Sequence, residues 1–272
     1  MIGVFDSGFG GLSVFDKISK QSPDLNLIYL GDSERTPYGP RSKETIYEWS
    51  KQAIDFLFER GCQLIIIACH TASNSALRQL QQDYLPNSKY KGRKILGVTI
   101  PIVEEVVLQA KKRVGVLATR GSIKSNRFIE EIKSRNSKLE IFQVASPMLV
   151  SLIEEGYSDS VACKQFIKHY LKPLKNKQID LLVPGCTHFP LIFDQLQKKS
   201  GKNIKVLNAS QIVADKLKDY LSRHPELEFN NKLTGYREYL TTGDVDLFQE
   251  IGHRFLKTSF AAKKVVLKFK LI

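Results

Sequence analysis

The sequence predicts an α/β protein made of two similar parallel-sheet units with a functional cleft between them. Three observations lead there. Short apolar runs such as LNLIYL, QLIIIA and DLLVPG lack the alternation of a half-exposed strand and read as strands buried on both faces. Segments of helical period follow them. Two of the runs end in a cysteine, Cys69 in LIIIACHTASN and Cys186 in LLVPGCTHFPL. Each stands at the carboxyl end of its strand, where parallel α/β folds hold ligands.

Taken in order, residues 2–5 form the first strand, Asp6 and Ser7 end it, and Gly8, Gly10 and Gly11 permit a tight turn. Leu12, Phe15 and Ile18 then recur at helical spacing. A nucleotide loop is the tempting alternative, but G-x-G-G is not the G-x-G-x-x-G of dinucleotide sites. Residues 25–33 hold a second strand. The loop after it, with Pro37, Gly39 and Pro40, carries Tyr38 either to a cleft or to a surface turn. Ile46, Trp49, Ala53, Phe56 and Leu57 mark a helix over 43–59, ended by Gly61. The strand at 63–68 delivers Cys69, and Thr71 or Ser73 is expected to cap the next helix. A strand at 94–99 and an apolar helix from Pro101 complete the first pattern.

The pattern then restarts. RVGVLAT at 113–119 has the form of MIGVFDS, with Thr119 in the place of Ser7 and Ala118 in that of Asp6. LEIFQV at 139–144 matches LNLIYL, IDLLVPGCTH at 179–188 matches CQLIIIACHT, and KVLNAS at 205–210 matches KILGVT. Four matches in one order point to a duplicated α/β unit. The tail has no counterpart: a helix from 211, a strand in REYLTTGD, an amphipathic helix with Val245, Phe248, Ile251 and Phe255 on one face, and a last strand VVLKF.

Composition narrows the class. With 42% hydrophobic and 25% charged residues the chain can build a packed core. No apolar run is long enough to span a bilayer, and MIGVFDSG lacks the features of a secretory signal, so a cytoplasmic location without membrane contact is expected. Four dispersed cysteines do not make a disulfide framework, which leaves a functional Cys as nucleophile, base or metal ligand. Cys62 and Cys163 read as buried filler. The net charge of +13 comes largely from scattered lysines with no nucleic-acid motif, so nucleic acid is not an expected partner.

DSGFGGLSV (6–14), GDSERTPYG (31–39), ACHTAS (68–73), SPMLVSLIEEG (146–156), GCTHFPL (185–191) and YLTTGD (239–244) resemble the motifs of the aspartate/glutamate racemase family, and of its bacterial glutamate racemases in particular. The matches run through almost the whole chain in order. The resemblance implies two α/β domains about a pseudo-two-fold axis, with the tail packing back on the first: residues 1–98 plus 211–272, and residues 99–210. It implies an active site between them that interconverts L- and D-glutamate without a cofactor or metal and feeds D-glutamate to peptidoglycan. It places Asp6 beside Cys69, and His188 and Glu155 beside Cys186. One position departs: the family usually has Asn where this chain has His70, a substrate-holding position, which bears on affinity, pH dependence and the choice between glutamate and aspartate.

The chemistry agrees with the duplication. Racemisation removes a proton from one face of a carbon and delivers one to the other, which two opposed groups can do. Related halves contributing one Cys each supply such a pair. Helix amino termini after Cys69 and Cys186 are expected to favour thiolate. Ser7, Thr71 and Thr187 hydroxyls, with Tyr38, Gly39, His70, Asp6 and His188, are the expected substrate contacts. The competing readings are a zinc site from Cys69, His70, Cys186 and His188, an aspartate racemase, and an inactive relative serving as a basic binding protein. The oligomeric state is open, with a homodimer among the expectations.

Overall fold

The computed structural model describes residues 1–227 and 234–267. Its strands are β1 (Ile2–Asp6), β2 (Leu27–Gly31), β3 (Leu64–Ile67), β4 (Lys94–Gly97), β5 (Arg113–Ala118), β6 (Glu140–Ala145), β7 (Leu181–Gly185), β8 (Lys205–Val206), β9 (Arg237–Thr241) and β10 (Ala262–Lys264). Its α-helices are α1 (Leu12–Gln21), α2 (Lys43–Glu59), α3 (His70–Gln79), α4 (Thr99–Gln109), α5 (Arg120–Lys124), α6 (Arg127–Arg135), α7 (Pro147–Glu154), α8 (Val161–Asn176), α9 (Phe193–Ser200), α10 (Ala209–Arg223) and α11 (Val245–Leu256).

The strands form two parallel sheets, ordered β10-β9-β2-β1-β3-β4 and β6-β5-β7-β8. Strands β2-β1-β3-β4 of the first sheet and the four of the second follow the same permutation. Register reproduces the repeat residue by residue. Gly3 faces Ile65 as Gly115 faces Leu182, and Leu64 faces Lys94 as Leu181 faces Lys205. Every residue of β1, β2, β3 and β7 is buried, which explains the unbroken apolar runs.

The tail adds to the first sheet. β9 pairs with β2, and β10 pairs with β9 through Ala262–Tyr239, Lys263–Leu240 and Lys264–Thr241. The last strand among the described residues is therefore AKK, before the expected VVLKF. β9 ends at Thr241, whose carbonyl takes a last hydrogen bond from the Val265 amide at 2.8 Å, and β10 stops at Lys264; residues 268 and 269 of that expectation lie outside the described residues. The helix expected from 211 starts at Ala209, because the Asn208 side chain accepts from the Gln211 amide at 3.3 Å.

Aromatic packing fixes the tail. Phe248 of α11 is fully buried and meets Phe9 at 5.6 Å, Tyr29 at 6.0 Å and Phe260 at 5.9 Å between ring centroids. Phe15 of α1 meets Tyr29 at 5.8 Å and Tyr239 of β9 at 5.0 Å. Phe248→Ala should lower unfolding stability by about 3–5 kcal/mol, the usual cost of an emptied aromatic site. Urea denaturation checks this, and a loss below about 1 kcal/mol would contradict the anchoring role.

Candidate active site

Cys69 lies two residues past β3 and occupies the cap position of α3. Its backbone is extended (φ −61°, ψ 116°) and its Sγ accepts from the Ala72 amide at 3.4 Å. The expected caps Thr71 and Ser73 are thus displaced by the cysteine itself. Thr71 instead places its hydroxyl 2.9 Å from that of Thr119, on the other half. Cys69 Sγ also donates to Ser7 Oγ at 3.3 Å. The helix terminus was expected to favour thiolate, but burial outweighs it. Desolvation first, then the nearby Asp6 charge, push the Cys69 thiol up to about 12 against the pull of Ser7 and the Ala72 N–H. In this arrangement Cys69 holds its proton.

Cys186 follows β7 directly. No α-helix starts behind it: Thr187 and His188 form a turn, residues 189–192 a short 3₁₀ segment, and α9 begins only at Phe193. Its partner is a side chain, not a helix terminus. His188 Nδ1 lies 3.7 Å from Cys186 Sγ, and His188 Nε2 lies 2.7 Å from Glu154 Oε1. Burial opposes the imidazolium, yet the bonds to Cys186 and Glu154 and their charges raise the His188 pKa well above its ordinary value. His188 is therefore a cation held between a sulfur and a carboxylate. The edge-on ring of Phe255, 5.6 Å away, fixes its plane.

Both cysteines open into one cavity of about 330 Å³ between the halves. From the first half Ser7, Tyr38, Gly39, Cys69, His70 and Thr71 line it; from the second, Cys186, Thr187 and His188 do. Tyr38 contributes its ring, since its hydroxyl donates to Asp32 at 2.5 Å. Two expectations change. Asp6 is fully buried beneath the wall and does not line the cavity; it accepts from the Gly8 amide at 3.0 Å and the Thr187 hydroxyl at 3.2 Å. Burial raises its pKa, opposed by His188 and these donors. Glu155 is exposed just beyond α7, and the carboxylate at His188 is Glu154. The reason is helical period: Pro147, Val150, Ser151 and Glu154 fall on one face and line the cavity, which turns residue 155 away. That spacing was legible in SPMLVSLIEEG. Thr119 and Arg120 also line the cavity, beyond the residues the motifs point to; the signal for Thr119 is its place as the repeat counterpart of Ser7.

Glycine makes the junction possible. A side chain at Gly10 would strike the Thr187 hydroxyl and the His188 ring, so the Gly-rich turn serves contact between halves instead of phosphate binding. Ser13 Oγ completes the seam by donating to the Thr187 carbonyl at 2.9 Å.

His70 lines the cavity, but both ring nitrogens are shut from solvent and have no hydrogen-bond partner among the described residues. Its ring stacks on Phe128 of the second half at 6.1 Å. Burial lowers its pKa to about 4, so it is neutral at physiological pH. Among the described residues no three His, Cys, Asp or Glu side chains are grouped to share a metal ion, and no helix is long and apolar enough to cross a membrane.

The Asp/Glu/Hydantoin racemase model matches residues 2–217. The chain belongs to that family. This racemase is 35% identical over 269 residues to the glutamate racemase of Roseobacter denitrificans, covering 94% of this chain and 96% of the relative. The crystal structure of a glutamate racemase isoform from Bacillus anthracis superposes with a TM-score of 0.89 at 30% identity, over 98% of this chain and 97% of that one. The glutamate racemase of Francisella tularensis, solved in complex with D-glutamate, superposes with a TM-score of 0.88 at 31% identity over the same shares.

The histidine generates a pH prediction. An unfolded His70 takes up its proton as pH falls through 6.5, whereas the folded one resists until about 4. Stability is therefore lost between those values, by on the order of 3 kcal/mol from this group. His70→Asn removes that loss. Urea midpoints of wild type and variant at pH 7.5 and pH 4 check it; an identical pH dependence in both would contradict the buried neutral ring.

Proposed function

We propose that this racemase interconverts L- and D-glutamate by two-thiol proton transfer, with Cys69 and Cys186 on opposite faces of the α-carbon. One observation carries the reading: repeat-equivalent strand ends from two halves deliver one sulfur each to a single cavity. A thiolate on one side takes the α-proton and a thiol on the other returns one, so the configuration inverts; the roles exchange in the reverse direction. The two sulfur environments differ in the required sense. Cys69 is buried near Asp6 and keeps its proton, while Cys186 faces the His188 cation that Glu154 holds in place. Ser7, Thr71 and Thr187 hydroxyls and the surrounding amides can hold the carboxylate as charge builds toward a carbanion. Thiols alone complete this proton transfer, and the reading invokes no cofactor.

Supply of D-glutamate to peptidoglycan, cytoplasmic residence and assembly as a homodimer belong to the same proposal. Fractionation and sedimentation test the last two.

Cys69→Ala and Cys186→Ala should each lower racemisation by at least about 10³-fold while leaving the far-ultraviolet spectrum unchanged. Turnover in deuterated water should place deuterium at the α-carbon of the product. Full activity in either variant, or product that retains its original hydrogen, would overturn the mechanism. A polarimetric assay with L-glutamate and L-aspartate in parallel decides the substrate. Glu154→Gln should lower kcat about 10–10²-fold by weakening the His188 cation, whereas Glu155→Gln should change it less than about twofold.

A further inference from the structure

We infer that Arg120 recognises the distal carboxylate of the substrate and so selects acidic over neutral amino acids; the inference rests on the racemase reading of the same cavity. Arg120 opens α5, is exposed, and stands on the wall shared by the thiol cavity and an adjoining open groove of about 810 Å³. Its neighbours clamp its backbone to the first half. Thr119 meets Thr71 through hydroxyls 2.9 Å apart, and a Cβ at Gly121 would lie only 2.8 Å from the Gly39 carbonyl oxygen. The main chain of Arg120 is thus held at the cavity mouth, and its exposed side chain lines both the cavity and the groove.

Charge points the same way. Besides Arg120, the charged liners are Glu154 and His188, and these are occupied with each other at 2.7 Å. Asp6 lies beneath the wall. A substrate with two carboxylates and one ammonium therefore meets a cavity whose own paired charges offer nothing for the second carboxylate. Arg120 is a cation with no ion pair or hydrogen bond among the described residues. The groove outside continues the sign: Arg41, Lys43 and Lys124 line it without a carboxylate partner among the described residues, and Arg41 lies over the Trp49 ring at 5.5 Å. Its acids are Asp83 and Glu130, the latter 3.7 Å from Arg127.

The reacting carbon must lie between the sulfurs, so the far end of the chain projects away from them. A guanidinium fork at the mouth can take that carboxylate through two parallel hydrogen bonds, which a neutral side-chain amide cannot match.

The test is calorimetric titration of the intact protein with glutarate and with butyrate, non-reacting acids that differ in the second carboxylate. Wild type should bind glutarate about tenfold tighter than butyrate, as expected for a charge-assisted contact. Arg120→Gln should cut that advantage below about twofold, and Arg120→Lys should restore part of it. Lys124→Gln, in the groove but outside the cavity, should keep the advantage. In steady state, Arg120→Gln should lower kcat/KM for glutamate about tenfold, chiefly through KM. Full glutarate preference in Arg120→Gln overturns the inference, as does an equal loss in Lys124→Gln, which would mean a diffuse field and not a contact. Wild type that binds glutarate through Arg120 but never turns over glutamate would refute the racemase reading and support the carboxylate contact.

Discussion

The site depends on the seam where the Gly-rich turn of the first half meets the Thr187–His188 turn of the second. Three contacts make it: Asp6 accepts from Thr187, Ser13 donates to the Thr187 carbonyl, and Gly10 leaves room for the Thr187 hydroxyl and the His188 ring. All three are buried, so each polar group is stabilised by its partner and costly to leave without one. This seam sets where Cys186 stands relative to Cys69. A shift of the second half by one residue along it would leave two ordinary buried thiols, each in a half that still folds.

Around that seam two similar strand ends have become chemically different. Cys69 has a helix behind it but also Asp6 nearby and no cation, and desolvation wins. Cys186 has no helix behind it but has a histidine whose charge is sustained by Glu154. Duplication supplied the geometric symmetry, and the residues packed behind each sulfur broke the electrostatic symmetry. Racemisation can use that, because at any instant one sulfur must be an acid and the other a base.

His70 shows a different balance. A polar ring on the cavity wall with neither nitrogen paired is a cost in a folded protein, and such exceptions concentrate at functional sites. Stacking on Phe128 gives the ring an apolar resting place between the halves, and neutrality makes that place tolerable. The ring is uncharged because burial disfavours the imidazolium and no partner among the described residues offsets that cost.

The sequence by itself determined the parallel strands, their duplication, the two cysteines at strand ends and nearly half of the cavity wall. Those features are local: an apolar run, a turn residue and a repeated order are written in consecutive residues. Helical period within one segment would also have separated Glu154 from Glu155. Only the tertiary structure decided that Asp6 supports the site from beneath, that Thr119 and Arg120 reach the cavity, and that β10 stops at Lys264. Each depends on what packs opposite. Burial, charge and sheet pairing at a residue are set by groups far away in the chain, and no stretch of sequence contains them.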